Sequence, residues 1–155
     1  MTKAAELHSR ITPRLAHGPG AVLARRAHAW VLRRFKGRVA GTLFGAPLLV
    51  VSTTGRKSGR VRDATLAYVG HGDGYAVAAT NAGSERPPAW WLNLQADPGC
   101  QVLVRGRRQA MVARAATPEE TGRLWPELIE VYPGFRHYLR IARREMPIVL
   151  LEPAS

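Results

Sequence analysis

Apolar residues occur in short blocks along most of the chain, and glycine or polar clusters separate these blocks. The pattern is typical of strands and predicts five or six of them, at 47–54, 61–69, 74–80, 100–105, 107–116 and 146–152. Between two of them, "GHGDG" at 70–74 suits a hairpin turn. Because strands and helices do not alternate regularly, the pattern favours a small antiparallel barrel over a doubly wound sheet.

A two-turn helix is predicted in the polar segment that follows the third strand. Pro88 can occupy the first turn of a helix, and the residue before Pro98 has to leave helical geometry. The helix is therefore expected at Ala89–Ala96. Trp90 and Trp91 are neighbours on it, about 100° apart, so one suits the core and the other suits a cavity wall.

Two further helices are predicted between the last pair of strands. Thr117 and Glu120 have the spacing of a capping box at the start of a helix over 117–133. A shorter helical segment over 134–145 precedes the closing strand. The expected fold class is therefore α+β, mainly β, with an antiparallel barrel and flanking helices.

A basic amphipathic helix is predicted over 19–37. Residues 1–38 hold nine cations and one acid, so they contribute 9 − 1 = +8 to the net charge of +12. We expect a helical extension at 1–41 and a separate domain at 42–155. Three interpretations of the extension are open. The helix, which includes Trp30, can lie on an anionic membrane surface through residues 19–38, pack on the domain with its arginines in solvent, or contact nucleic acid.

Composition narrows the classes of function. Cys100 is the single cysteine, which excludes an internal disulfide and a cysteine-based metal cluster, and the five histidines show no ligand-like spacing. We expect no metal.

A charge of +12 attracts polyanions, but aromatics do not alternate with the arginines, so specific nucleic-acid binding is not expected. The apolar runs are too short to span a membrane and no secretion signal is recognised, which suits a cytoplasmic protein.

The turn between the first two predicted strands, "STTGRKSGRVR" at 52–62, contains four cations and two glycines. It does not have the glycine spacing of a P-loop. Two interpretations are open, a solvated turn and an anion site. Glycines allow backbone N–H groups to converge, and the hydroxyls and cations add donors for phosphate or carboxylate. The donors are Ser52, Thr53, Thr54, Arg56, Lys57, Ser58, Arg60 and Arg62, around Gly55 and Gly59.

Three segments, "TTGRKSGRVR", "ATNAGSERPPAWWLNLQADP" and "EVYPGFRHYLRIARREMPIVLLEP", occur in this order between residues 53 and 153. In sequence and spacing they resemble the deazaflavin-dependent nitroreductase family. The resemblance implies a split β-barrel and the reduced deazaflavin coenzyme F-420. It also implies hydride transfer to an electron-poor acceptor, for which we favour a quinone over a nitroaromatic compound.

The resemblance also implies a coenzyme site. The basic turn would bind the phosphate and the polyglutamate tail, and the end of the third strand would lie along the deazaflavin ring beside a tryptophan and an asparagine. The residues concerned are Thr54, Arg56, Lys57, Ser58, Gly59 and Arg62 at the tail, with Ala78, Ala79, Thr80, Asn81, Ala82, Trp90 and Asn93 at the ring.

On the acceptor side the family often has three tyrosines, and this chain has Tyr132, Phe135 and Tyr138. Phenylalanine cannot donate a proton, so only Tyr132 and Tyr138 are candidate donors, with water as an alternative.

An FMN- or haem-binding split barrel and a non-catalytic deazaflavin carrier are the alternative functions. We expect a monomer or weak dimer in the cytoplasm, peripheral at the inner face of the plasma membrane.

Overall fold

The computed structural model describes residues 42, 43 and 45–155, so the helix and extension predicted at 1–41 lie outside the described residues. Seven strands and three helices follow one another along the described chain. The strands are β1 (Thr42–Leu43), β2 (Ala46–Thr54), β3 (Val61–His71), β4 (Gly74–Ala78), β5 (Gly99–Val104), β6 (Arg107–Ala115) and β7 (Ile148–Pro153), and the helices are α1 (Ala89–Ala96), α2 (Pro118–Val131) and α3 (Phe135–Ile141).

Six of the strands close into an antiparallel barrel. The order around it is β2-β3-β4-β7-β6-β5, and β5 pairs with β2 to complete the ring. At the closure Val51 lies opposite Val102, while on its other side Val51 lies opposite Ala64. The two-residue strand β1, which the sequence pattern did not predict, pairs with β2 only. The predicted antiparallel barrel is confirmed.

Strand β7 supplies both hydrophobic cores. Val149 and Leu151 face the barrel interior, whereas Ile148 and Leu150 pack under α2 and α3. All four are fully buried, at 0% exposure. Since successive side chains of a strand point to opposite faces, a strand buried on both faces has to be apolar throughout. This explains the unbroken apolar run at the end of the chain.

The helices begin and end close to the predicted residues, with one difference. α1 follows Pro88, and the hydroxyl of Thr117 accepts a hydrogen bond from the backbone N–H of Glu120 at the start of α2. α3 ends at Ile141 instead of continuing to residue 145, because Ala142 is extended (φ −66°, ψ 133°). The chain then turns back, and Met146 is buried beneath α3.

Candidate functional site

Gly55 and Gly59 fix the basic turn between β2 and β3. The backbone N–H of Gly55 donates to the carbonyl of Arg60 at 2.8 Å, and that of Gly59 donates to the carbonyl of Gly55 at 2.7 Å. Gly59 has a φ of +67°, which favours glycine. A Cβ on Gly55 would lie 2.8 Å from the Ser58 hydroxyl and 3.0 Å from the Arg60 carbonyl. The turn is therefore closed on itself and admits no side chain at Gly55.

The basic turn carries four cations at its surface. Arg56, Lys57, Arg60 and Arg62 are all exposed. Within the described residues, none of them forms an ion pair with a carboxylate. The neighbouring Asp63 accepts a hydrogen bond of 2.6 Å from the hydroxyl of Ser52. The turn thus presents a positive charge that a bound anion can neutralise through charge-assisted hydrogen bonds.

Asn93 on α1 holds this turn in place from behind. Its Oδ1 accepts hydrogen bonds from the backbone N–H of Arg56 at 3.1 Å and from the Arg56 guanidinium at 3.2 Å. Its Nδ2 donates to the hydroxyl of Thr53 at 3.0 Å. Asn93 is only 3% exposed. Its amide is engaged within the protein, where it positions Arg56.

The two tryptophans of α1 both contact the barrel core. Trp90 is buried and packs in this core together with Ala79. Trp91 is partly buried against the same core and also lines a cavity outside the barrel. Through Trp90 and Asn93, α1 connects the basic turn to the end of β4, where the second predicted part of the site begins. Direct contact of Trp90 with the coenzyme stays a prediction.

The segment after β4 has an unusual backbone. Ala78, Ala79 and Thr80 are buried, and Asn81 and Ala82 then have positive φ values of 44° and 54°. Thr80 is right-handed (φ −82°), and a right-handed residue followed by left-handed ones directs successive N–H groups into one concavity. No hydrogen bond within the described residues engages the N–H groups of Thr80, Asn81 or Ala82.

Arg144 holds the other side of the same segment. Its Nη2 donates to the carbonyls of Ala79 at 3.0 Å and Thr80 at 2.9 Å, and its Nε donates to the carbonyl of Ser84 at 2.8 Å. Partial burial lowers the pKa of Arg144. The sequence analysis missed this residue, since nothing distinguishes one arginine of "ARRE" from its neighbour before the chain is folded. We call residues 79–84 the carbonyl turn.

The two candidate tyrosines lie next to the carbonyl turn. The hydroxyls of Tyr132 and Tyr138 are 3.3 Å apart, and burial, together with this hydrogen bond, raises the pKa of Tyr138. Phe135 packs in the same cluster, and Ala82 packs against it. A Cβ on Gly83 would lie 3.4 Å from the Cα of Tyr138. The fold therefore brings together the two segments assigned to the ring and to the acceptor.

A cavity of about 590 Å³ opens between α1, α2 and the chain that follows α3. Most of its wall is apolar, and Arg144 contributes to it, so the cavity borders the carbonyl turn. Its size is in the range of small-molecule sites. Among the described residues that line it, none is a predicted site residue; the wall includes Trp91, Gln95, Trp125, Leu139, Arg144 and Met146. Trp125 had no signal in the sequence other than its place in an amphipathic helix.

Two other kinds of site are absent from the described part of the chain. No group of three or more histidine, cysteine, aspartate or glutamate side chains in residues 42, 43 and 45–155 could hold a metal ion. No helix within these residues is long and apolar enough to cross a membrane.

The fold and the site define a barrel protein with a cationic turn and an N–H-lined concavity, both suited to an anionic aromatic ligand. Residues 24–153 match the model of the F420H(2)-dependent quinone reductase family. An F420H(2)-dependent quinone reductase of Mycobacterium tuberculosis is 32% identical over 130 residues, which cover 81% of this chain and 87% of that protein. The chain belongs to the F420H(2)-dependent quinone reductase family.

Solved structures agree with this assignment. The structure of an F420-H2 dependent reductase has a TM-score of 0.63 and 30% sequence identity, covering 68% of this chain and 94% of that chain. A chain described as a domain-swapped dimer has a TM-score of 0.65 and 25% identity, covering 87% of this chain and 100% of that chain. The split-barrel fold, the coenzyme and the oxidoreductase class implied by the resemblance are confirmed, and the family shown is that of the F420H(2)-dependent quinone reductases.

Proposed function

We propose that this protein binds reduced coenzyme F-420 and catalyses hydride transfer from it to a quinone. The observation that carries the proposal is the closed, cationic turn held by Asn93, whose charges have no carboxylate partner within the described residues. When bound, the coenzyme supplies the hydride. The protein supplies binding, orientation and exclusion of water, because no reactive side chain is needed for such a transfer.

The turn would bind the acidic tail of the coenzyme. Arg56, Lys57 and Arg62 would donate charge-assisted hydrogen bonds to phosphate or carboxylate, with the hydroxyl of Thr54 as a further donor. Ser58 shapes the turn, because its hydroxyl accepts a hydrogen bond of 3.3 Å from the N–H of Arg60. The closed backbone fixes where these side chains leave the turn.

The carbonyl turn would bind the polar edge of the deazaflavin ring. Thr80, Asn81 and Ala82 offer three N–H groups without partners in the described chain. Ala78 and Ala79 lead into this turn as buried residues of small volume, which lets a planar ring approach the backbone. Trp90 and Asn93 on α1 would then lie between the ring and the tail.

We propose the cavity as the binding site of the quinone. Trp91, Trp125 and Leu139 offer apolar walls to a flat ring. A quinone that accepts one hydride and one proton becomes a hydroquinone. Tyr132 and Tyr138, whose hydroxyls lie 3.3 Å apart, are not among the described residues that line the cavity, so they stay candidate proton donors together with water. A Leu139→Trp variant should raise KM for quinones and leave coenzyme affinity unchanged, whereas Arg136→Trp, exposed on the same helix, should change neither.

The function is tested by following the oxidation of reduced coenzyme optically against quinones and nitroaromatics. Oxidation by quinones, with nitroaromatics slower, is the expected result. Binding of the coenzyme without turnover on any acceptor would indicate the carrier function instead. Tight binding of FMN or haem in difference spectra, with no binding of coenzyme F-420, would indicate the remaining alternative.

We propose that residues 19–38 dock the protein on the inner, anionic face of the plasma membrane, where lipophilic quinones reside. The proposal is supported by the charge of +8 in residues 1–38 together with the apolar face of the helix that the sequence predicts there. The full-length protein should co-float with anionic liposomes at low salt, and a failure to co-float would contradict the docking.

For the oligomeric state, we propose a monomer or weak dimer, which sedimentation would test.

A further inference from the structure

Arg144 connects the end of α3 to the carbonyl turn, which lies 60 to 65 residues earlier in the chain. It follows α3, which carries Tyr138, and its guanidinium reaches three carbonyls of the carbonyl turn, on Ala79, Thr80 and Ser84. Its Nη1 also donates to the carbonyl of Glu145 at 2.9 Å, next to it in the chain. A planar guanidinium can satisfy several acceptors in one fixed geometry, which an ammonium cannot.

The conformation that Arg144 holds is strained. Asn81 and Ala82 are left-handed although neither is glycine, and such residues persist only where surrounding contacts impose them. Other contacts also support the carbonyl turn: Ala82 packs against the core cluster under α2 and α3, and the N–H of Ala79 donates to the Pro147 carbonyl at 2.9 Å. The N–H groups of Gly83 and Ser84 donate within the turn to Thr80 and Asn81 at 2.9 and 3.1 Å, and the Asn81 amide donates to the Arg86 carbonyl at 2.9 Å.

The charge of Arg144 is also not neutralised by an acid. Within the described residues it has no carboxylate partner, whereas Arg114 pairs with both Glu120 and Glu152. Its neighbour Arg143 lies 3.9 Å from Glu85 and is 84% exposed. A cation bonded to the carbonyls of a turn polarises the peptide groups of that turn. The N–H groups on the opposite side become better donors to a partial negative charge.

We propose that Arg144 is a positioning residue that fixes the carbonyl turn so that the N–H groups of Thr80, Asn81 and Ala82 converge on the deazaflavin ring. The inference rests on the proposed function. It assigns to Arg144 an effect on coenzyme affinity and hydride transfer although the guanidinium itself faces the carbonyls and not the ring.

The test compares Arg144→Met and Arg144→Lys with Arg143→Met, a matched control at the adjacent exposed arginine. Fluorescence titration should show a dissociation constant for oxidised coenzyme raised at least about tenfold in Arg144→Met, the effect of losing one or more charged hydrogen bonds. Arg144→Lys should recover part of the affinity, and Arg143→Met should match the wild type. In turnover, Arg144→Lys should lower kcat more than it raises KM for the quinone.

Amide hydrogen exchange of the coenzyme-free protein gives a second readout. Gly83 and Ser84 should exchange faster in Arg144→Met and Arg144→Lys than in the wild type, while amides of β6 should not change. Wild-type affinity in both Arg144 variants would overturn the proposal, as would unchanged exchange at Gly83 and Ser84. If Arg144→Met does not fold, Arg144→Lys decides by the same two measurements. Failure of the wild type to bind coenzyme would overturn the proposed function itself, and the exchange data would still report whether Arg144 holds the turn.

Discussion

The Oδ1 atom of Asn93 accepts hydrogen bonds from both the backbone N–H and the guanidinium of Arg56, although 37 residues separate them in the chain. Helix α1, which follows β4, thereby fixes the turn between β2 and β3. The same asparagine donates to Thr53, which is 2% exposed. A cationic turn that is only a solvated connection would not need this buried support.

Replacing Asn93 with alanine should therefore destabilise the protein and weaken coenzyme binding together. The N–H of Arg56 would lose its partner, and the Thr53 hydroxyl would keep only its hydrogen bond to the Arg62 carbonyl. We expect a cost of about 1–3 kcal/mol in the free energy of unfolding. Chemical denaturation and coenzyme titration measure the two effects. Gln95→Ala, at an exposed position of the same helix, should alter neither quantity; equal effects in both variants would contradict the role of Asn93.

Gly55→Ala should distort the turn without affecting the barrel core. The new Cβ would lie 2.8 Å from the Ser58 hydroxyl and 3.0 Å from the Arg60 carbonyl, so the turn has to open. We expect coenzyme affinity to fall several-fold. Gly70→Ala is the matched control, because a Cβ at Gly70 on β3 meets nothing within 4 Å. Wild-type affinity in Gly55→Ala would show that the closed form of the turn is not required.

The ion-pair cluster at the start of α2 predicts a pH dependence of stability. The Arg114 guanidinium, with a hydrogen bond from the Thr117 backbone, holds the pKa of Glu120 at about 2 against an ordinary value of 4.5. Because folding lowers this pKa, the ion pair contributes stability above pH 4.5 and loses it as the pH falls toward 2. His71 lies 3.8 Å from the same carboxylate.

A Glu120→Gln variant should consequently lose less stability than the wild type when the pH falls through this window. Glutamine can still cap the helix, so the comparison isolates the charge. Thermal unfolding between pH 2 and pH 6, about the range spanned by the two pKa values, measures it. Glu119→Gln, exposed on the same turn of helix, should follow the wild-type curve. Identical slopes for Glu120→Gln and the wild type would refute the prediction.

Tyr138→Phe should spare coenzyme affinity and lower turnover. It removes the hydroxyl that lies 3.3 Å from that of Tyr132, and with it one of the two candidate proton donors. Stopped-flow oxidation of reduced coenzyme by a quinone reports the loss. Tyr75→Phe is the control, since the Tyr75 hydroxyl accepts its hydrogen bond from Gln109 on the barrel. A Tyr138→Phe enzyme with full turnover would contradict a role of Tyr138 and leave Tyr132 or water as the proton source.

Local rules predicted much of this fold. The strand positions followed from the short apolar blocks and the turn residues between them. The limits of α1 followed from Pro88 and Pro98. The sequence could not predict the early end of α3, because Arg144 leaves the helix for carbonyls that only the folded chain brings near. It also could not distinguish Asn93 as a support of the turn from Asn93 as a direct ligand, since burial and partners depend on long-range packing.

The central claim is that the basic turn binds the acidic tail of the coenzyme. It is tested most directly by titrating the wild type, Lys57→Ala and Arg62→Ala with coenzyme F-420 and with a deazaflavin that lacks the phosphate and glutamate tail. The account predicts that each variant loses about 1.5–3 kcal/mol of binding free energy for the full coenzyme and almost none for the tail-less compound, while Arg108→Ala, an exposed cation on β6, loses neither. Equal losses for both compounds, or no loss for either, would contradict it.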